Sequence, residues 1–348
     1  MTGPDLVATP TADFDYPLPP EAIAQQPLAD RSSSRMLVLG EQAPPRERSV
    51  SDLPEVLAAG DCLVVNDTRV RRSRLRGRLG EGSAEVLLLG QDAPGRQLAL
   101  VRPARRLQPG TTVTGEGWRA KVLALWPGHP GGRVVALEAE PGVDLELVGE
   151  PPLPPYIHRA LPDPERYQTV YAQGRPVSAA APTAGLHVTQ SLLTDLARVG
   201  VGLARVQLEV GLATFAPIRA QTVEAHRMHE ERISISTAAA AAIRLCRERG
   251  GRVVAVGTTV VRCLESLPDG QGGVRAGSCE TGLYLRPGCG FSVVDGLLTN
   301  FHQPRSSLLV LVCAFFGRDR ALGAYREALE RGYRFLSFGD CMFGWRLG

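Results

Sequence analysis

The stretch AEVLLLGQDAPGRQLALVRP (Ala84–Pro103) decides the fold. It holds two short runs of β-prone residues parted by Gly, Asp and Pro, with no helical spacing. The same texture continues outward in RRSRLRGR (Arg71–Arg78), TTVTGEGWRAKVLAL (Thr111–Leu125) and GRVVALEA (Gly132–Ala139). Residues 70–150 therefore predict a small antiparallel β-barrel or sandwich inserted into the chain.

The flanks read differently. Between residues 17 and 68, PLPPEAIAQQP starts a short helix, SRMLVL is a strand, DLPEVLAAG a helix and DCLVVND a strand. After PPLPPYIHR (Pro151–Arg159) the helices SLLTDLARVG, TAAAAAIRLCRERG and RALGAYREALERG appear, the first two ending at glycine before the strands VGLARVQLEV and GRVVAVG. The expectation is an α/β protein: a discontinuous mixed α/β domain (residues 1–69 and 151–348) carrying a small antiparallel β-barrel domain (residues 70–150).

The 348 residues are ample for a buried core, and 44% hydrophobic with 22% charged residues is ordinary for a globular chain. A net charge of +3 does not by itself point to nucleic acid. Lys121 is the only lysine, so lysine-based amine chemistry is disfavoured and phosphate contacts fall to arginine. The seven cysteines are scattered and show no CxxC spacing, which suits free thiols in a reducing compartment and disfavours a cysteine zinc site. The start MTGPDLVATPTADFDY lacks the marks of a signal peptide, and the longest apolar run, Leu308–Phe316, is far shorter than the roughly 20 residues a membrane helix needs. A cytoplasmic monomer without membrane contact is expected.

Chemistry is concentrated in polar islands between apolar runs: NDTRV with Asp67 and Arg69, APTAGLH with Thr183 and His187, HRMHEE with His226, His229 and Glu231, VGTTVVR, and DGLLTNFHQPRSS with Asp295, Asn300 and His302. Gly257, Thr258 and Thr259 follow a strand and open a helix bearing Arg262. That arrangement suits either an anion or an ordinary threonine cap. There is neither a G-x-G-x-x-G nor a Walker-type loop. His226 and His229 suit acid–base work better than metal binding; a structural role for one of them, and a packing role for His187, stay open. A helix following His187 would depress its pKa. In RVRRSRLRGR the even-numbered Arg72, Arg74, Arg76 and Arg78 share one face of an extended strand, a stripe that suits a phosphate backbone or simply water.

Taken together, DFDYPLPPEAIAQQPLADRSSSRMLVL, GDCLVVNDTRV, LVRPARRLQPG, PPLPPYIHR, RYQTVYA, APTAGLH, VGTTVVRCLES, VDGLLTNFHQPRSSLLVLVCAFFG and YRFLSFGD resemble the S-adenosylmethionine:tRNA ribosyltransferase-isomerase family of queuosine biosynthesis. The resemblance implies an α/β domain with an inserted barrel. It also implies a reaction: the ribosyl group of S-adenosylmethionine moves onto the aminomethyl group of 7-aminomethyl-7-deazaguanine at the tRNA wobble position, and isomerisation yields epoxyqueuosine with release of adenine and methionine. S-adenosylmethionine is then a co-substrate, tRNA the partner, and no permanent cofactor or metal is required.

On this footing one of His226 and His229 removes the 5′ proton with Glu231 orienting it, Asn300 or His302 holds the ribose or assists adenine departure, and His187 is the next candidate base. Asp67, Arg69, Thr183, Thr258, Thr259, Arg262, Asp295 and Asn300 are expected to hold substrate, and Arg71, Arg72, Arg74 and Arg76 to contact tRNA. The chain departs from the family pattern at Glu209 (usually histidine), Ala213 (glycine), Glu230 (serine), His158 (aspartate) and Val177 (glycine). Those exchanges leave room for a paralogue acting on a small 7-deazapurine or other amine. A metal hydrolase built on the two histidines lacks a convincing third ligand.

Overall fold

A computed structural model describes residues 8–40, 43–127, 129, 131–211 and 217–347, and the chain divides into two units, Met1–Arg69 with Pro154–Gly348 and Val70–Leu153. Ala213 lies outside the described residues.

The smaller unit holds a closed barrel of six antiparallel-paired strands in the order Gly132–Ala139, Arg96–Arg102, Gly82–Ala93, Arg74–Leu79, Thr112–Gly115 and Trp118–Leu125, the last pairing back on the first. Alternation explains it: in WRAKVLAL, Trp118, Ala120 and Val122 are buried while Arg119, Lys121 and Leu123 face out. The inward set joins Leu75, Val86, Val101, Val113 and Val135 in one core, and closure leaves no open edge in the barrel.

In the larger unit nine strands form a mixed sheet in the order Gly277–Thr281, Glu231–Ile235, Gly202–Leu208, Cys62–Asn66, Val253–Val256, Gly296–Asn300, Cys341–Trp345, Arg35–Leu39 and Arg46–Ser49. Four adjacent strands, Gly202–Leu208 through Gly296–Asn300, are parallel to one another. Cys62–Asn66 and Val253–Val256 are buried at every position, which is why they read as unbroken apolar runs. Helices Gln190–Arg198, Thr237–Glu248, Thr258–Ser266, Ser307–Phe316 and Arg318–Glu330 supply the apolar surfaces that cover it. The expected α/β class with an antiparallel barrel is what is found. Two details differ from the sequence reading. DLPEVLAAG yields only one α-turn, Leu53–Val56, before the left-handed Gly60, and the HRMHEE island runs into a strand that Glu231 opens.

The parallel group fixes where chemistry can sit. Its strands end at Asn66, Leu208, Val256 and Asn300, so their carboxyl ends and following loops gather on one edge. The antiparallel strands beginning at Glu231 and Cys341 start on that same edge, opposite Thr281 and Asn300. Open α/β sheets bind ligands at such an edge.

Candidate active site

Several islands therefore meet although they are far apart in sequence. At the end of Val253–Val256 the chain turns through Gly257 at φ 91°, a conformation that strains any residue with a Cβ, and enters the helix Thr258–Ser266. Beside it, at the end of Gly296–Asn300, Ser306 Oγ accepts from Leu309 N at 3.2 Å and caps the helix Ser307–Phe316. Thr183, Gly257, Thr258, Thr259, Asn300 and His302 line a recess of about 30 Å³ between these turns. A second recess of the same size continues past Asn300 and His302 to Tyr156 and Ser337, whose hydroxyls bond at 2.7 Å.

Thr259 Oγ1 here lacks a partner, while the Asn300 side chain interacts with the His187 ring. Asn300 Nδ2 donates to Leu336 O at 2.9 Å, which fixes the amide with its oxygen toward the His187 ring. Leu336 is itself held at φ 67° and donates its own N–H to Phe301 O at 3.1 Å. An unmet buried polar atom costs about 1–3 kcal/mol, so a ligand hydroxyl or amine reaching Thr259 Oγ1 gains that energy back. His302 is locked: Nε2 lies 2.8 Å from Thr299 Oγ1, its N–H donates to Tyr325 Oη, and its carbonyl accepts from Tyr16 Oη. Burial pushes its pKa down to about 3, so it acts as a neutral hydrogen-bonding ring.

Next to this recess, through the neighbours Val210 and Gly211 and Leu308 and Ser307, opens a cleft of about 480 Å³ lined by Arg219, His226, Arg227, Met228, His229 and Glu230. His226 packs edge-on to Tyr284, with centroids 5.3 Å apart, and its pKa is lowered by burial and then by the nearby His229. A neutral imidazole at pH 7 can accept a proton. His229 is exposed in the same cleft.

Several expected roles need correction. Glu231 does not orient an imidazole: its Oε1 accepts from Gly211 N at 3.0 Å and its Oε2 binds Arg262. Arg262 is consequently no anion holder; it is buried against that carboxylate, with Nε donating to Leu283 O at 3.0 Å. Asp295 precedes its strand and so lies at the opposite edge of the sheet, where it bonds Arg247 at 2.6 Å and Val253 N at 2.7 Å. Asp67 lines a different cleft with Gln173, Arg205, Ser234 and Ser236, and burial raises its pKa. Arg69 pairs with Glu165 at 3.3 Å. His187 does not share the recess of Thr183; it faces a separate small pocket, and its pKa falls to about 4 chiefly through burial rather than through a helix start.

On the barrel the arginines are not equivalent. Arg71 donates to the carbonyls of Leu88 and Leu89, and Arg74 lies 3.6 Å from Glu85, both partly buried. Arg72 is half-buried at the approach to the strand, while Arg76 reaches Glu150 at 2.9 Å in an exposed pair. Sequence reasoning did not single out Tyr284, Tyr156 and Ser337, which reach the site through tertiary packing, although Tyr156 and Ser337 lie inside the quoted blocks PPLPPYIHR and YRFLSFGD. Among the described residues, no group of three His, Cys, Asp or Glu side chains comes together as a metal site. No described helix is long and apolar enough to cross a membrane.

Comparison with known proteins gives a consistent set of relatives. Residues 11–343 match the model of a family described as queuosine biosynthesis protein. An S-adenosylmethionine:tRNA ribosyltransferase-isomerase from Anaeromyxobacter sp. (strain Fw109-5) is 50% identical over 341 residues, covering 95% of this chain and 97% of the relative. The enzyme of that name from Moorella thermoacetica is 48% identical over 338 residues, covering 95% and 98%. The crystal structure of S-adenosylmethionine tRNA ribosyltransferase from Thermotoga maritima superposes with a TM-score of 0.55 at 35% identity, over 95% of this chain and 99% of that one.

Proposed function

Because the chain belongs to the family of queuosine biosynthesis proteins, whose relatives named above are transferases, we propose that it transfers the ribosyl group of S-adenosylmethionine to tRNA and isomerises it. The acceptor is the aminomethyl group of 7-aminomethyl-7-deazaguanine at the wobble position. The products are epoxyqueuosine-tRNA, adenine and methionine, formed in the cytoplasm by a monomer. The observation that carries the reading is the cleft holding His226 and His229 at the carboxyl edge of the parallel strands, beside a recess with an unmet hydroxyl.

The chemistry uses those parts in order. The sulfonium acidifies the adjacent 5′ C–H bond, and one imidazole of the cleft takes that proton. The glycosidic bond to adenine breaks with a proton delivered to the base, and the amine of the modified guanine bonds to the sugar. A sugar alkoxide then displaces methionine from the neighbouring carbon, breaking the carbon–sulfur bond as the epoxide C–O bond forms. Thr259 Oγ1 and Asn300, with Thr183 and Thr258 around them, hold sugar hydroxyls, and His302 fixes the floor as a neutral ring. Glu209, which replaces the usual histidine, is a neighbour and not the base.

The test is exchange of the 5′ protons of S-adenosylmethionine with solvent deuterium, alongside adenine release, in the presence of precursor-bearing tRNA. Wild type should release adenine, and at least one of His226→Ala and His229→Ala should lose exchange and turnover by about 100-fold or more while still binding both substrates. Full exchange in both folded variants would place the base elsewhere. Turnover on the free 7-deazapurine with none on tRNA would favour the paralogue reading.

A further inference from the structure

Away from the histidine cleft, Arg31 and Arg166 line one small pocket, and Arg334 is bonded to the Phe338 carbonyl at its wall. Arg31, Arg166 and His187 line it together with Ser34, Ser337 and the chain at Phe338 and Gly339, and it encloses about 20 Å³. That is room for one water-sized group. Arg31 Nη1 donates to Gln168 O at 2.7 Å and Leu186 O at 3.3 Å, and Nη2 to Glu165 O at 3.1 Å. Arg166 donates to the carbonyls of Ala29 and Leu28, and Arg334 to that of Phe338.

Every one of these bonds ends on a main-chain carbonyl, and among the described residues none of the three guanidinium groups forms an ion pair. The nearby acids are otherwise engaged. Asp163 accepts from Glu165 N at 3.0 Å, Glu165 pairs with Arg69, and Asp340 accepts from the N–H groups of Arg35 and Arg334 at 3.0 and 2.8 Å. Arg166 Nε and Arg334 Nε are buried without partners. Burial and then Arg166 lower the pKa of Arg31 against the opposing pull of Asp163 and Glu165, and Arg334 and Arg31 add to burial in lowering that of His187 against its hydrogen bond with Asn300. Two guanidinium groups this close, offset only in part by Asp163 and Glu165, favour further negative charge at the pocket.

We propose that this pocket binds one oxygen of an oxyanion, and that the oxyanion is a backbone phosphate of the nucleic-acid substrate. Arginine forks suit phosphate geometry, and a pocket this small admits one phosphate oxygen while the rest of the group stays at its mouth. The identity of the substrate rests on the function proposed above; the oxyanion chemistry does not. The other source of an oxyanion in that reaction is the methionine carboxylate of S-adenosylmethionine.

The experiment measures the affinity of the full-length protein for unmodified tRNA between 50 and 300 mM KCl, for wild type and Arg166→Gln, together with the KM for S-adenosylmethionine. Binding should weaken about tenfold, and the log–log salt slope should fall by roughly 0.7–0.9, with that KM unchanged. A raised KM with an unaltered slope would make the ligand a carboxylate and overturn the phosphate assignment. No change in either would show that the arginines only tie chain segments together. Arg334→Gln, which loses the bond to the Phe338 carbonyl, repeats the reading if Arg166→Gln does not fold. A separate arm needs neither tRNA binding nor turnover: inorganic phosphate should raise the Tm of wild type more than that of Arg166→Gln or Arg334→Gln at equal ionic strength. Equal shifts would reduce phosphate to its general effect on surfaces and overturn the pocket.

Discussion

His302 and His187 show what burial does to a single ring. Their pKa values fall to about 3 and about 4 from the usual 6.5, in both cases chiefly through desolvation. In the folded protein both stay neutral at pH 5, whereas in the unfolded chain each takes up a proton as the pH drops through 6.5. The unfolded state therefore binds more protons between pH 6.5 and about 4, and stability falls as pH is lowered through that window. The slope reaches at most about 1.4 kcal/mol per pH unit for each ring. Melting curves from pH 6.5 to 5 should show this loss, and His302→Gln should flatten the dependence. A wild-type profile already flat over that range would mean that water reaches the rings.

At the scale of elements, one buried ion pair joins three pieces. Arg262 on the helix Thr258–Ser266 binds Glu231 at the head of its strand, and its remaining donors reach the carbonyls of Leu283 and Thr281. Arg262→Ala leaves a buried carboxylate unpaired, so equilibrium unfolding should show a loss of about 3–5 kcal/mol. Arg262→Met with Glu231→Leu should recover most of it. The single variant should not raise the KM of one substrate selectively; if it does, the arginine reaches ligand after all. This pair also marks where the sequence was legible and where it was not. The Gly257–Thr258–Thr259 helix start was readable because strand, glycine and helix are contiguous. The partner of Arg262 was not, because Glu231 lies 31 positions away and its local neighbours, His226 and His229, offered a plausible but wrong association.

For the whole molecule, charge placement matters more than net charge. The exposed Arg76–Glu150 pair is worth little in water, so Arg76 can exchange its carboxylate for a phosphate, whereas Arg71 is tied to two carbonyls and Arg74 sits in a less exposed pair. Arg76→Ala should lower the salt slope of tRNA binding by close to one. Arg71→Ala should lower the Tm and leave that slope unchanged. Equal slopes for wild type and Arg76→Ala would remove the barrel stripe from the interface. The barrel itself was legible because Trp118, Ala120 and Val122 alternate with polar neighbours between turn residues. The order of the large sheet was not, because its neighbours are decided by packing between strands hundreds of positions apart.

That sheet order has a consequence for how the protein is made. Arg35–Leu39 joins the sheet only through Cys341–Trp345, with Met36 facing Cys341 and Leu39 facing Gly344. At ~5–20 residues per second a ribosome needs roughly 15–60 s to travel from one strand to the other. Throughout that interval this strand, with Met36, Leu37 and Leu39 all buried in the finished fold, has among the described strands only the antiparallel Arg46–Ser49 to pair with. The nascent chain thus carries an apolar strand in waiting for most of its synthesis, the period in which a holding chaperone has most to offer it.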